Sequence, residues 1–502
     1  MRREMVTLIC SVLGVLSVLG LLGQAGAIPD QQIQSQSGSM ESTGVRIGEH
    51  ILEDTRENVS AQITERTNLS HQNLTGANLS GAKLLLSDLS YSILCSADLS
   101  LSDLRNCILQ EANLTGASLA GCDLTGADLS RSILLRANLS GSDLTRASLE
   151  NARLAGADLS GANLHLALFD HADLADSNLT GADLSQSSFS ESNISGSSLA
   201  LADLYRTDLS GADLSRSDLS GAELDETELD GVNLSGARLV GATLEKATVD
   251  RRSPDFTGAD LTDAKLSYTD LTGSKMRGAY LVEAYVVGSR FNLADLSDSY
   301  LSGGQFSRSE FYGANLSGSD LSRCDLTRAV MGRANLSGAD LEGSDLSYAD
   351  LSAADLRGAL LTRATFAFVN LEGADLSGAD LRNVRLDCIQ LVRTRLNRAI
   401  MDRINITDVT LHETEMAGAS LKYVSFCDVT MNEVNLSGAN LEGAVFTSVF
   451  MKDVDLSGAI LRGIRYDNAS LCALSHSNLQ GAIISPDLKA DLKRGREMCL
   501  AG

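Results

Sequence analysis

Large aromatic side chains are scarce in this sequence. Tryptophan is absent and aromatic residues make up 4% of the chain, although hydrophobic residues make up 43%. A globular core of this size normally uses large aromatics to fill its volume, so the composition argues against conventional globular domains. Leucine and alanine carry the apolar content, with serine, glycine and aspartate between them. This restricted alphabet is typical of a repeat protein.

Positive charge and histidine are also in short supply. Lysine and arginine number 41 against 65 aspartates and glutamates, which gives a net charge of −24. Because phosphate binding needs clustered basic residues, we expect no nucleic-acid partner, and the acidity favours basic protein partners. The six histidines have no zinc-ligand spacing, and neither a GxSxG nor a GxxxxGK motif is present. We therefore expect no metal, no cofactor and no enzyme activity.

Long apolar runs are absent except at the N-terminus. A basic start, an uncharged run over residues 6–22 and the small residues Ala25, Gly26 and Ala27 have the layout of a secretory signal peptide. The sequence predicts cleavage after Ala27 and a periplasmic, lumenal or extracellular location. The alternative is an uncleaved membrane anchor, because the run approaches the length that spans a bilayer.

An apolar residue occupies every fifth position through most of the chain. One series runs from Leu69 to Val249, and a second begins at Phe256 and extends to Leu471 before closing at Ile484. We call these residues the centres. Alanine commonly stands two residues before a centre, Asp or Asn one before, Ser or Thr one after, and Gly two after. Proline is confined to Pro29, Pro254 and Pro486, as expected if backbone amides form a ladder.

A five-residue period fits neither a helix nor a straight strand. Successive centres would spiral around a helix, and in a strand residues five apart face opposite sides. The chain must therefore form a coil with one corner per repeat. Large residues recur 20 positions apart, as Phe169 and Phe189 do, and Tyr280 and Tyr300. Since an oversized core side chain must be matched in the next coil, this interval predicts four repeats per coil.

These repeats resemble those of the pentapeptide-repeat proteins, commonly written A(D/N)LXX. The resemblance covers about residues 69–484. It implies a right-handed quadrilateral parallel β-helix, an all-β fold, here of about 20 coils. It also implies a second class of function, because some members are acidic mimics of DNA that inhibit type II topoisomerases.

The sequence divides into six segments. They are a signal peptide (1–27), a flexible linker and N-terminal cap (28–67), a first repeat block (68–249), a register break (250–255), a second repeat block (256–484) and a C-terminal helical cap (485–502). In the last segment Ser485 is placed to cap a helix, and Leu488 and Leu492 to cover the final coil. Cys107, Cys122 and Cys324 stand two before a centre and are expected to be small core residues.

Two sets of charged residues are candidate interaction surfaces. The first is an acidic ladder one residue before successive centres, repeating once per predicted coil: Asp103, Asp123, Asp143, Asp183, Asp203 and Glu223, with Asn163 in the same series. Its alternative is repeat-encoded aspartate bonded to the backbone. The second is an arginine-rich stretch: Arg382, Arg385, Arg393, Arg395, Arg398 and Arg403. Its alternative is a solvated surface that balances nearby acids.

The leading hypothesis is a non-enzymatic, extracytoplasmic scaffold that presents flat β-helix faces to protein partners. The alternative is an acidic DNA mimic of the topoisomerase-inhibitor type, which the export signal opposes because topoisomerases are cytosolic. Exposed ends of a coil stack also favour end-to-end homo-association. Contact with a membrane is expected only if the N-terminal segment stays uncleaved.

Overall fold

The residues that the structure describes fall into two units, which divide between Asn233 and Leu234. The structure is a computed structural model that describes residues 45–47, 50–52, 63–384, 386–387 and 389–499. The predicted signal peptide (1–27) and most of the predicted linker and cap (28–67) lie outside these residues. Within the described part of that segment, two short strands form an antiparallel pair, which the sequence did not predict.

Both units are parallel β-solenoids. In the first unit, parallel bridges join residues 20 apart from Asn68–Asp88 to Asp213–Asn233. In the second, most bridges keep this interval, from Asp255–Lys275 to Asn440–Ile460, whereas Arg238–Asp260 and Asp455–Asn478 are further apart in sequence. The bridges correspond to about eight coils in the first unit and about twelve in the second. This confirms the predicted β-helix and its four repeats per coil.

Among the described residues, strands of two or three residues occur mainly in the last coils. Most of the other coils are paired by bridges of a single residue. The strands are β1 (Val45–Ile47), β2 (His50–Leu52), β3 (Leu386–Asp387), β4 (Gln390–Val392), β5 (Asn405–Thr407), β6 (Thr410–His412), β7 (Ser425–Cys427), β8 (Thr430–Asn432), β9 (Val445–Thr447), β10 (Phe450–Lys452), β11 (Ile460–Leu461), β12 (Arg465–Tyr466) and β13 (Ile483–Ile484). The helices are α1 (Asn468–His476) and α2 (Pro486–Cys499). The parallel sheets have the strand orders β10-β8-β6-β4, β12-β9-β7-β5-β3 and β11-β13.

One repeat shows why the sequence has its five preferences. The amide of Leu144 donates to a carbonyl of the following coil at 2.7 Å, and that of Asp143 to a carbonyl of the preceding coil at 2.9 Å. The Arg146 amide also reaches the following coil, at 3.0 Å, while the Ala147 amide closes the turn onto the Leu144 carbonyl at 2.8 Å. The remaining amide, of Thr145, donates to Oδ1 of Asp143 at 2.9 Å. Every backbone donor is satisfied, and Asp or Asn before the centre supplies the fifth acceptor.

The core consists of the centres and the small residues two before them. Leu144 and Ala147 are fully buried, and the buried Phe169 and Phe189 stack with ring centroids 4.6 Å apart. The structure thus confirms that this pair of oversized core residues is matched between neighbouring coils. It also confirms the inward position predicted for three cysteines, which are 1–2% exposed: Cys107, Cys122 and Cys324.

The second residue after each centre turns the corner in a left-handed conformation. Gly141 has φ of 61° there, and Arg146 has φ of 58°. Because Cβ crowds the carbonyl in this region, glycine is the residue that adopts it without strain. The frequent glycine at this position therefore marks the corners of the coil.

The register break is shorter than the predicted range 250–255. Pro254 is buried in the position usually held by alanine, and Asp255 already pairs with Lys275. In a regular repeat, the amide at this position donates to the carbonyl of the centre three residues earlier, as Ala147 does to Leu144. Pro254 directly follows the loop, so no centre stands three residues before it. Its lack of an N–H group therefore costs no hydrogen bond. The break therefore comprises residues 250–253, and the second block begins at Pro254.

The second repeat block (256–484) is interrupted near its end. Leu471 and Leu474 fit the apolar series, but they lie in α1, where they are buried. The prediction of coil centres there is wrong, because Asp467 accepts the amide of Ser470 and caps a helix instead. The coil resumes at Asn478, which pairs with Asp455.

The predicted C-terminal helix is confirmed as α2. The amide of Leu488 donates to Oγ of Ser485 at 3.2 Å, which identifies the N-cap. Leu488 and Leu492 are buried, and the hydroxyl of Tyr466 donates to Oδ2 of Asp491 at 2.6 Å. The helix therefore covers the end of the second unit, where an open coil would leave unpaired strand edges.

Candidate interaction surfaces

The acidic ladder is a continuous column on one face of the first unit. Its members pair successively: Asp103 with Asp123, Asp123 with Asp143, Asp143 with Asn163, Asn163 with Asp183, Asp183 with Asp203, and Asp203 with Glu223. Oδ1 of each of its aspartates accepts the amide two residues later, at 2.9–3.3 Å. These carboxylates therefore serve the turn of their own repeat.

An arginine relieves the charge at one end of this ladder. Arg105 donates from Nε to Oδ1 of Asp103 at 2.9 Å and from Nη2 to Oδ2 at 2.7 Å. It also lies 3.4 Å from Oδ2 of Asp123. The bonds from Arg105 hold the pKa of Asp103 below its usual value. The ladder is thus a regular acidic surface in which one oxygen of each aspartate has a structural role.

Metal ligands are not grouped in the part of the chain that the structure describes. There, no three His, Cys, Asp or Glu side chains are arranged to hold an ion. Nδ1 of His165 lies 2.9 Å from Oγ of Ser185, and Nδ1 of His412 lies 2.9 Å from Nδ2 of Asn432. Each histidine thus bonds the residue in the same position of the next coil.

The arginine-rich stretch is not one patch. Since each repeat occupies one side of the coil, Arg393 and Arg398 lie at successive corners and Arg403 at the next. Arg403 lies over the ring of Tyr423 at 5.6 Å, and Arg398 lines a separate depression. A further member, Arg382, donates to both carboxylate oxygens of Asp380. Arg385 lies outside the described residues.

Only Arg393 and Arg395, of the predicted arginines that the structure describes, line the same cavity. This cavity, the arginine groove, has a volume of about 470 Å³ and runs along one corner of the second unit. It is lined by Tyr312, Arg333, Ser352, Ala353, Glu372, Gly373, Arg393 and Arg395. Arg333 lies over the ring of Tyr312 at 5.8 Å, and Arg393 donates to Oε1 of Glu372.

Sequence reasoning missed Arg333 and Tyr312 because both lie outside the arginine-rich stretch. The spacing of these residues in the sequence nevertheless indicates that they lie together. Arg333, Ala353, Gly373 and Arg393 follow one another at intervals of four repeats, so the coil places them in one column at the same corner. Reading charged residues by column would have found the groove.

Aromatic side chains form further columns on the surface. Tyr280 and Tyr300 stack at 4.7 Å, and Tyr348 and Phe368 at 5.0 Å. All four are 43–55% exposed. The fold therefore places outward side chains at the same spacing as the coils.

A smaller cavity of about 370 Å³ lies between β10 and α1. Its lining is mainly apolar and includes Phe450, Met451 and Cys472. Cys472 is disulfide-bonded, in contrast to Cys427 and four buried cysteines of the coils, which are free. Among the described helices, none combines the length and apolarity needed to cross a bilayer.

A comparison with protein-family models matches one family repeatedly along the chain. The model described as pentapeptide repeats (8 copies) matches residues 65–100, 97–134, 132–170, 167–205, 207–245, 255–292, 289–328, 324–363, 359–398 and 425–463. Within the coils these matches leave out residues 246–254, which contain the register break, and residues 399–424; none extends beyond residue 463, where α1 interrupts the coils. A search of curated protein sequences finds no match.

Solved structures of pentapeptide-repeat proteins are among the similar folds. A trypsin-treated form of QnrB1, a plasmid-mediated fluoroquinolone resistance protein, is 17% identical over 46% of this chain and 98% of that one, with a TM-score of 0.24. HetL, a pentapeptide-repeat protein involved in heterocyst differentiation in the cyanobacterium Nostoc, is 26% identical over 66% of this chain and 90% of that one, with a TM-score of 0.09. A pentapeptide-repeat protein of the Arabidopsis thaliana thylakoid lumen is 32% identical over 21% and 63%, with a TM-score of 0.10.

Proposed function

Since this chain belongs to the pentapeptide-repeat family, we propose that it is a non-catalytic scaffold that works outside the cytoplasm and binds protein partners on its flat faces. The observation that carries the proposal is the column arrangement of outward side chains. Successive coils pair residue by residue at an interval of four repeats, so charged and aromatic side chains repeat at fixed spacing along each face. Such a surface suits an extended partner.

Two features support a location outside the cytoplasm. The N-terminal sequence has the layout of a secretory signal with a cleavage site at Ala27. In addition, Cys472 is disulfide-bonded, and structural disulfides persist mainly in oxidising compartments. The two features are independent, since one lies in a leader segment and the other in the cap of the second unit.

The location is tested by sequencing the mature N-terminus after expression of the full chain in its own host. We expect the mature protein to begin at Ile28 and to be recovered from an extracytoplasmic fraction. Alkylation under non-reducing conditions, followed by mass spectrometry, should show Cys472 protected and Cys427 modified. A protein that keeps Met1 and stays in the cytosol with a reduced Cys472 contradicts the extracytoplasmic part of the proposal.

Partner binding is tested with the mature protein as immobilised bait in an extract of the fraction where it resides. A triple variant with Arg393, Arg395 and Arg398 changed to Glu is compared with the wild type at moderate salt. Loss of a captured protein, with an unchanged circular dichroism spectrum, assigns the contact to these arginines. Equal capture by both baits assigns it to another face, and the absence of any captured protein contradicts the scaffold proposal.

An acidic DNA mimic is the second candidate. The net charge of −24 and the continuous acidic ladder of the first unit favour it. Purified protein would then inhibit DNA supercoiling by a type II topoisomerase, and the effect would weaken when Asp143, Asp183 and Asp203 are changed to Asn. Asparagine keeps the turn acceptor, so these variants remove charge without removing the structural hydrogen bond.

A further inference from the structure

We propose that the arginine groove is a binding site for a small oxyanion ligand, one that carries a phosphate or carboxylate group. The groove contains three arginines, Arg333, Arg393 and Arg395, and a single carboxylate, Glu372. Its lining therefore carries two excess positive charges on a chain whose net charge is −24. Guanidinium groups match the geometry of phosphate and carboxylate oxygens, which accept two parallel hydrogen bonds.

Arg333 retains its hydrogen-bonding capacity. The only contact of its guanidinium group among the described residues is with the ring of Tyr312, at 5.8 Å from the centroid. A cation–π contact of this kind is an attraction between the positive charge and the ring, and it requires no hydrogen bond from the guanidinium N–H groups. No carboxylate among the described residues lies within ion-pair distance of this arginine. Tyr312 thus holds Arg333 at the groove without consuming its donors.

Arg395 also lacks an ion-pair partner among the described residues, although two carboxylates flank it in neighbouring coils. Oδ1 of Asp375 accepts the amide of Ser377 at 3.0 Å, in the turn of its own repeat. Oε2 of Glu415 accepts from Nδ2 of Asn435 at 2.7 Å, in the following coil. These bonds occupy one oxygen of each acid, and neither acid lies within ion-pair distance of Arg395, so the donors of Arg395 remain available to a ligand.

The floor of the groove leaves room between the arginines. Ala353 and Gly373 occupy the corner position in the two coils between those of Arg333 and Arg393. A Cβ added at Gly373 would meet no atom within 4 Å, so open space lies directly above this residue. A long side chain at either position would fill the groove, whereas Ala and Gly expose it. The oxyanion lies over this floor, between Arg333 and Arg395.

The test is isothermal titration calorimetry of the full-length mature protein with two probes, inorganic phosphate and succinate, at low ionic strength. Arg333→Gln and Arg395→Gln each remove charge-assisted hydrogen bonds and should weaken binding roughly tenfold or more. Arg308→Gln is the matched control, because Arg308 is exposed at the second position after a centre with a similar left-handed φ of 61°. It lies outside the groove and should leave binding unchanged.

The two probes distinguish the two sources of the ligand's charge. Tighter binding of phosphate identifies a phosphorylated ligand, and tighter binding of succinate identifies a carboxylate ligand. Ala353→Glu, which places a carboxylate on the floor at a residue already in the left-handed region (φ of 54°), should abolish either signal. Absence of heat with both probes up to about 10 mM, a concentration that would occupy most of a site of millimolar affinity, overturns the proposal. An equal loss in Arg308→Gln overturns it as well.

Discussion

Replacement of Leu144 tests whether the five-residue period encodes the core. Leu144 is fully buried in the first unit, and Leu124 and Leu164 occupy the same position in the coils on either side. The small residues beside these centres are rigidly held by the backbone ladder and have no side chain long enough to fill a gap. Leu144→Ala should therefore leave a cavity and lower the free energy of unfolding by about 2–5 kcal/mol.

An arginine at the same position should be more damaging. Leu144→Arg would place a charge among apolar side chains with no partner, and the expected loss is about 3–5 kcal/mol or more. Ser140 provides the control because it is only half-buried, one residue after the preceding centre. Its amide donates to Oδ1 of Asn138 at 3.0 Å, and Ser140→Arg keeps this bond. The control substitution should change stability by less than about 0.5 kcal/mol.

Urea denaturation gives the loss of stability, and hydrogen exchange with mass spectrometry gives its location. Because each coil contacts only its neighbours, faster exchange should be confined to peptides within about one coil of Leu144. Residues near Asn68 and Asn233, at the two ends of the described ladder of the first unit, should keep their protection. Equal tolerance of arginine at Leu144 and Ser140 would refute the assignment of the centres to the core.

Three further predictions concern the corners, the acids and the cap. Arg146→Gly should raise the free energy of unfolding, measured in urea, by roughly 0.5–1 kcal/mol, because relief of the left-handed strain exceeds the entropy cost of glycine. If Arg146→Gly is no more stable than Arg146→Ala, the corner is unstrained. The pKa of Asp380 is lowered by its bonds to Arg382, so this pair contributes stability above the unfolded pKa of about 3.9 that is lost as pH falls through the lower folded value. Asp380→Asn should flatten that decline in urea midpoints measured from neutral to acidic pH, and an unchanged slope would contradict the role of the pair. Reduction of the Cys472 disulfide should speed hydrogen exchange in α1 and α2 but not in the first unit, and uniform exchange changes would argue against a local role.

The period predicted the fold because it is tied to a hydrogen-bond requirement. Each repeat needs one inward apolar residue, one small inward neighbour and one acceptor for the turn amide, and Asp143, Leu144 and Ala147 show all three. The matched pair Phe169 and Phe189 then revealed the number of sides, since core volume must agree between coils. These properties are local, and a single sequence displays them.

Features that depend on competition between local structures were harder to predict. Leu471 continues the apolar series, but the cap at Asp467 favours a helix, and an apolar residue fits either setting. The sequence places Pro254 in the loop because proline has no N–H to donate to a ladder, yet at the first residue of a block no such donor is needed. The arginines of the stretch are close in sequence and therefore suggest one patch, whereas the coil places residues that are close in sequence on different sides.

The interval between paired coils has a consequence for how such a chain changes length. Most paired residues are separated by four repeats, but the separation is longer between Arg238 and Asp260, across the register break, and between Asp455 and Asn478, across α1. In both places the extra residues leave the coil as a loop or a helix, and the following repeats keep their sides. Removal of a single repeat would instead shift every later residue to the adjacent side of the coil, so that each side chain would lie on a different face of the solenoid. Removal of four repeats would restore each face. The molecule therefore tolerates change in whole coils or in excursions from a corner, and any duplication that preserves its surfaces should come in multiples of four repeats.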